Sequence, residues 1–219
     1  MTSVNHQIKK IVKNNPLLQE GLARNILNFA NTAEMLQFEI EKELGKEINL
    51  AAIIMALRRT GEELKLKSSI KFAYNSEIVM KSGLADLTYL KSPSLISKLK
   101  RVYELVDQHK GETLNIIQGN YEVTIVVSEK RVGQIKELLK EEELLNVEKE
   151  LVSLAMSFSK DFLYTPGVLN KAIQQLFWEH INVFENISTM TEMIFIVSKK
   201  DALKAYNALQ QLVESQNKQ

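Results

Sequence analysis

The chain has 219 residues, with 28 Lys plus Arg against 27 Asp plus Glu, a formal net charge of +1 and no cysteine. That balance excludes a global basic field able to hold nucleic acid or a membrane surface by charge alone, and the missing thiols exclude disulfides, thiolate nucleophiles and Cys-ligated zinc. With no run of eighteen apolar residues and no signal-like stretch in Met1–Val12, the sequence reads as a cytoplasmic protein with no membrane partner, long enough for two or three small domains.

Residues 1–66 read as a helical domain. Val4, Ile8, Ile11 and Val12 recur at helical spacing, and Asn15-Pro16 stops that helix and opens a second carrying Leu17, Leu18, Leu22 and Ile26. A third is expected from Asn31, with Glu34 completing a capping pattern, and to end at Gly45. The fourth runs from Asn49 to about Leu64 and turns Ile53, Ile54 and Leu57 inward. The third and fourth are helix-turn-helix-like, but the charged residues of 1–67 sum to only +2 (ten basic, eight acidic), and the fourth helix starts with apolar Leu50-Ala51-Ala52-Ile53-Ile54. DNA is therefore a possible partner that is not favoured over a docking or dimerisation role.

From Lys67 the pattern changes to short strands and helices. A strand is expected at Ile70, Phe72 and Tyr74, a second at Leu84–Leu90, and a helix from Ser92-Pro93 with Leu95, Leu99, Val102, Leu105 and Val106 on one stripe. Leu114–Gln118 and Tyr121–Val127 form a hairpin about Gly119-Asn120, and Glu129–Leu144 reads as a charged amphipathic helix. The order then recurs: strand Leu151–Phe158, loop Lys160–Pro166, helix Gly167–His180, strands Ile181–Thr189 and Met193–Val197, helix Asp201–Val213. Two strings mark the duplication. Ser92-Pro93-Ser94-Leu95-Ile96-Ser97-Lys98 returns as Thr165-Pro166-Gly167-Val168-Leu169-Asn170-Lys171, and Ile125–Lys130 returns as Phe195–Lys200. The fold class is α+β, a helical domain and two split βαβ repeats, 67–145 and 146–219, each with helices on one sheet face. Neither repeat has an evident fourth strand, and Ile70–Tyr74 is a candidate to supply one.

The second repeat's strings, from Thr165 to Lys171, then Ile181-Asn182-Val183, Ile187-Ser188-Thr189 and Thr191-Glu192, resemble the ACT domain of aspartokinase regulatory regions. The first repeat is similar but degenerate. The resemblance covers about 67–216 and implies ferredoxin-like repeats with paired sheets, a homodimer, and an amino-acid ligand at a domain interface. The helical segment ending in Ala51–Arg59 resembles the N-terminal region of prokaryotic ACT-repeat proteins. Room for a nucleotide-binding kinase domain and its Gly-rich loops is missing, with only 8 glycines in the chain, so the expectation is a protein that is not an enzyme, without cofactor.

Candidate ligand-binding residues cluster at the second repeat's helix start. Thr165 can cap, Pro166 suits the first helical position, and Gly167 and Val168 leave backbone N–H groups open to a carboxylate. Lys160 or Asp161 can meet the ligand's charges, with Asn182 and Asn186 near the interface strand. Ordinary helix capping explains the same residues and stays open beside that reading. Ser94 stands where Gly167 stands, so the first site is expected to be empty, altered or structural. His6, His109 and His180 lack metal-ligand spacing, and Glu141–Glu143 reads as a solvated helix end, so no metal is expected. Helical spacing makes one of Phe177 and Trp178 core, whereas an exposed Trp178 marks an interface. A ligand-responsive transcription regulator and a separate regulatory subunit of an amino-acid biosynthetic enzyme are the alternatives.

Overall fold

The computed structural model describes residues 3–65, 77–160 and 164–216, and the chain divides into two compact units, Met1–Lys71 and Phe72–Gln219. In the first, α1 (Val4–Lys13), α2 (Pro16–Ala23), α3 (Phe29–Leu44) and α4 (Leu50–Lys65) enclose a core that includes Ile8, Val12, Leu22, Leu36, Ile40, Ile53 and Leu57. Ser3 and Asn15 cap α1 and α2, with Pro16 in the first turn. The expected start of α3 at Asn31 is corrected: the Asn28 side chain accepts from the N–H groups of Ala30 and Asn31, so helical geometry begins at Phe29. The α3–α4 turn is clasped by Glu41, which accepts from Ile48 N–H at 2.9 Å, and by Gln37, which donates to the Ile48 carbonyl at 3.0 Å.

The second unit runs β1 (Ile78–Leu90), α5 (Pro93–Leu105), β2 (Leu114–Gln118), β3 (Glu122–Ser128), α6 (Val132–Leu138), β4 (Leu144–Ser157), α7 (Val168–Trp178), β5 (Val183–Ser188), β6 (Glu192–Ser198) and α8 (Ala202–Gln216). Its strands form one sheet in the order β2-β3-β1-β4-β6-β5, antiparallel at every junction. The helix expected to reach Leu144 stops at Leu138, because Leu144–Glu148 is taken up as strand pairing with β1. Pairing here overrides the helical propensity of a Glu- and Leu-rich run. The surplus strand expected at Ile70–Tyr74 lies outside the described residues.

The β1–β4 junction is symmetric about Leu84 opposite Leu151. Met80↔Leu154 mirrors Leu87↔Val147, and Val79↔Ala155 mirrors Thr88↔Asn146. Leu84–Leu90 and Leu151–Ser157 pass through the same succession of buried and exposed positions. Each strand also carries an irregularity at a left-handed residue, Gly83 at φ 73° and Glu150 at φ 53°.

Alternation along the strands sends side chains to two faces. On one, Ala85, Leu87, Tyr89, Val123, Ile125 and Val127 pack under α5 and α6, while Val152, Leu154, Met156, Met193, Phe195 and Val197 pack under α7 and α8. On the opposite face Leu84, Val126, Leu151 and Ile196 form a second buried cluster, whose described members within this unit all come from strands. Curling of the sheet explains this, since Ile117 of edge strand β2 and Phe184 of edge strand β5 both pack on that cluster.

Candidate functional site

The duplicated Ser/Thr-Pro string forms the start of α5 and of α7, and the two starts differ. In the first, Ser92 is the N-cap, accepting from Leu95 N–H at 2.9 Å, and Pro93 occupies the first turn. The Ser92 hydroxyl donates to Glu142 Oε2 at 2.8 Å, Ser94 Oγ donates to the same oxygen at 3.0 Å, and Lys98 Nζ donates to Glu142 Oε1 at 2.7 Å. The Glu142 side chain is only 5% exposed. Its carboxyl is held below the ordinary range, first by the Lys98 hydrogen bond and then by the two serines, against the opposing effect of burial. Lys98 also meets Glu141 at 3.0 Å, but Glu141 is largely exposed.

In the second, the expected cap is corrected. Gly167, at φ 87°, is the N-cap and α7 begins at Val168, so Thr165 and Pro166 precede the helix instead of entering it. A left-handed glycine turns the chain where Ser94 continues the helix, which removes the turn that Pro93 starts in α5. Among the described residues, no atom would lie within 4 Å of a Cβ at Gly167. Val168 is buried, Lys160 is exposed and Asp161 lies outside the described residues. The equivalence of the repeats extends to backbone bonds: Lys91 N–H donates to the Tyr121 carbonyl at 2.8 Å, and Phe158 N–H to that of Thr191 at 2.7 Å.

The two asparagines do not join Thr165–Val168. Asn186 is an exposed residue of β5 paired with Phe195, while Asn182 precedes β5 at the end of the sheet remote from the start of α7. By strand register Asn182 matches Thr113, and the residue before it, Ile181, matches Glu112, which is buried and accepts from Arg131 Nε and Nη2 at 2.8 Å each, with Lys130 Nζ at 2.8 Å. These cations hold Glu112 far below the carboxylate range. The expectation that Phe177 or Trp178 is core is also corrected: both are exposed, in an edge-to-face pair 5.4 Å apart, and Leu176 faces the core instead.

Sequence reading missed an acidic cluster on the curled face. Asp86 is 6% exposed, and burial, then Glu185 and Glu148, push it up to about 6 against a 3.3 Å hydrogen bond from Thr88. Glu185 is raised by burial, opposed by the nearby Thr124 hydroxyl. Glu185 lies four strands from Thr124 in sheet order, so no local pattern links them. In sequence Glu142 reads as part of a solvated helix end, since nothing in the Glu run distinguishes the member that meets Lys98, 44 residues earlier. Among the described residues no group of three or more His, Cys, Asp or Glu side chains could hold a metal ion, and no helix is long and apolar enough to cross a membrane.

No family model matches the chain, and no curated protein matches it. Solved structures do. The regulatory subunit of aspartate kinase from Thermus thermophilus matches at 16% identity and TM-score 0.50, over 64% of this chain and 98% of that one. Aspartate kinase from Clostridium acetobutylicum matches at 17% identity and TM-score 0.51, over 65% of this chain and 36% of that one. Aspartate kinase from Synechocystis matches at 13% identity and TM-score 0.52, over 77% and 32%. At such identities the likeness is one of fold: this chain spans about a third of the two kinases and nearly the whole of the regulatory subunit.

Proposed function

We propose that this chain is a non-catalytic regulatory protein that binds a small ligand, an amino acid by class, through two ACT-type ferredoxin-like repeats, each completed by the first strand of the other. The observation that carries the reading is the contrast between the helix starts. Before α7 an exposed left-handed glycine stands at the positive end of a helix dipole, whereas at the start of α5 a serine occupies that position and meets the Glu142 carboxylate. Lys160, Asp161, Thr165, Pro166, Gly167 and Val168 form the proposed contact set. Asn182 and Asn186 are left as interface residues.

Homodimerisation is part of the proposal. Leu169, Ile173, Phe177 and Trp178 leave an apolar stripe exposed on α7, and Leu17, Ile26, Met35 and Phe38 are exposed in the helical unit. The proposed role of the helical unit is docking, since Ala51 and Ala52, exposed at the start of α4, offer no base-reading group. A regulatory subunit for a separate amino-acid biosynthetic enzyme is the second reading, favoured by the near-complete coverage of the Thermus subunit. Ligand acts by binding one arrangement of the modules better than another.

Melting the full chain against each of the twenty amino acids tests the reading. A true ligand at a hundred times its dissociation constant adds about 2.7 kcal/mol of stability, and Gly167→Val should abolish the response. A chain indifferent to all twenty, or a response that survives Gly167→Val, sinks the proposal.

A further inference from the structure

We propose that the solvent face of α3 is a self-complementary seam on which a second copy of this chain docks, the two helices antiparallel and crossing at Phe38. The helix has sixteen residues and buries Thr32, Ala33, Leu36 and Ile40. Its other side carries Asn31, Met35, Phe38 and Lys42 at helical spacing, all exposed, with exposed Glu34 beside them. Phe38 is 78% exposed and Met35 64%. Two large apolar side chains on one outer stripe, rimmed by charge, have the composition of an interface centre and its border.

The charges select the occupant. Glu34 lies four residues before Phe38 and Lys42 four residues after it. A two-fold axis at Phe38 therefore sets Lys42 level with the partner's Glu34, and does so twice in one interface. Parallel helices would set each charge against its own kind, and an antiparallel register centred between Met35 and Phe38 would set Glu34 level with the partner's Glu39. Among the described residues neither Glu34 nor Lys42 has an ion pair, whereas Lys9 meets Glu63 and Lys10 meets Glu43 in the same unit. The helix dipole also favours an acid early in α3 and a base late, but it does not call for methionine and phenylalanine between them. A helix of sixteen residues is about 24 Å long, less than a standard interface uses, so the seam gives a dimer that dissociates on dilution. It specifies the homodimer proposed above and rests on that part of the reading, not on ligand.

Sedimentation of the full chain from about 1 to 100 μM reads the assembled mass. Phe38→Glu should halve the mass that the wild type reaches, weakening self-association about thirtyfold or more, with circular dichroism unchanged because the side chain sits in water. Glu34→Lys and Lys42→Glu, each alone, should weaken it about tenfold at low salt, since both contacts become like-charged. Mixing the two single variants should restore assembly, because every substituted charge then meets its opposite across the mixed pair. Only the antiparallel register gives that rescue. Should Phe38→Glu lose helix, the mixed rescue decides alone. The proposal is overturned by a wild type that stays monomeric, by assembly indifferent to Phe38→Glu, or by single variants that do not rescue each other. A mass that falls with Trp178→Glu alone leaves the homodimer standing on α7 while the α3 seam fails, and the amino-acid melts read ligand binding separately.

Discussion

The two repeats have the same succession of elements and, apart from a register shift between Val183 and Glu185 in β5, the same strand registers, yet they differ wherever charge is concentrated. The first is clasped by ion pairs: Glu142 on Lys98 at the start of α5, and Glu112 on Arg131 and Lys130 below β2. The second has Gly167, exposed, where the first has Ser94, and Ile181, buried and apolar, where the first has Glu112. One frame thus holds a buried carboxylate in its first copy where its second copy holds an apolar side chain.

The comparison is broken most forcefully through the core. Leu87 and Leu154 hold equivalent positions on β1 and β4, both fully buried. Changing either to Ala should cost about 2–5 kcal/mol, and because the strands share one sheet, urea unfolding of either variant should give a single transition for the second unit. Two separated transitions would contradict that.

Asp86 and its counterpart Ser153 separate the halves by pH. A carboxyl raised to about 6 when folded binds its proton more tightly than in the unfolded chain, so it stabilises fully below the unfolded value and loses that contribution as pH rises through 6. Asp86→Asn should therefore raise stability by on the order of 2 kcal/mol at pH 8, with the gain vanishing near pH 4. Ser153→Asn should show no such pH dependence. Glu112 and Glu142, both lowered, act with the opposite sign: their stabilisation is full above the ordinary carboxylate range and is lost as pH falls through the lowered folded values. Thermal melts between pH 4 and 8 read Asp86, and melts from about pH 5 down to 2 read the two glutamates.

Gly167→Val should cost about 2 kcal/mol through the left-handed backbone, since among the described residues no neighbour obstructs the new side chain. Ser94→Val deletes one hydrogen bond to Glu142 and should leave ligand binding nearly unchanged by isothermal titration. The smallest effect belongs to the paired irregularities. Glu150 occupies the left-handed conformation that Gly83 occupies on the partner strand, so Glu150→Gly should gain about 0.5 kcal/mol, measured by chemical denaturation. The 3.5 Å contact of Glu150 with Lys199, well exposed on both sides, offers little to oppose it.

Periodicity located the helices and strands because amphipathic spacing and turn residues are local signals. The cap at Ser92, the hairpin about Gly119 and the stop at Gly45 follow from them. The end of α6 was illegible, because the fate of Leu144–Glu148 depends on a strand more than fifty residues earlier. The same holds for the missing fourth strand, which each repeat finds in the other's β1 or β4. At the candidate site, the glycine-for-serine exchange could be read directly. Asn182 could not be placed without knowing at which end of β5 it lies, and Glu142 looked solvated because a Glu run carries no hint that one member folds inward onto Lys98.

The antiparallel union of β1 with β4 also sets an order of events during synthesis. β1 leaves the ribosome long before β4 is made, and until Leu144–Ser157 emerges its Leu84 flank has backbone groups with no partner strand. The first repeat then exists as a half-finished sheet whose open border is a template for any extended segment nearby. Slow translation between Leu90 and Leu144 would prolong that exposure. The centre of the symmetric junction is therefore also where the newborn chain is most exposed to mispairing.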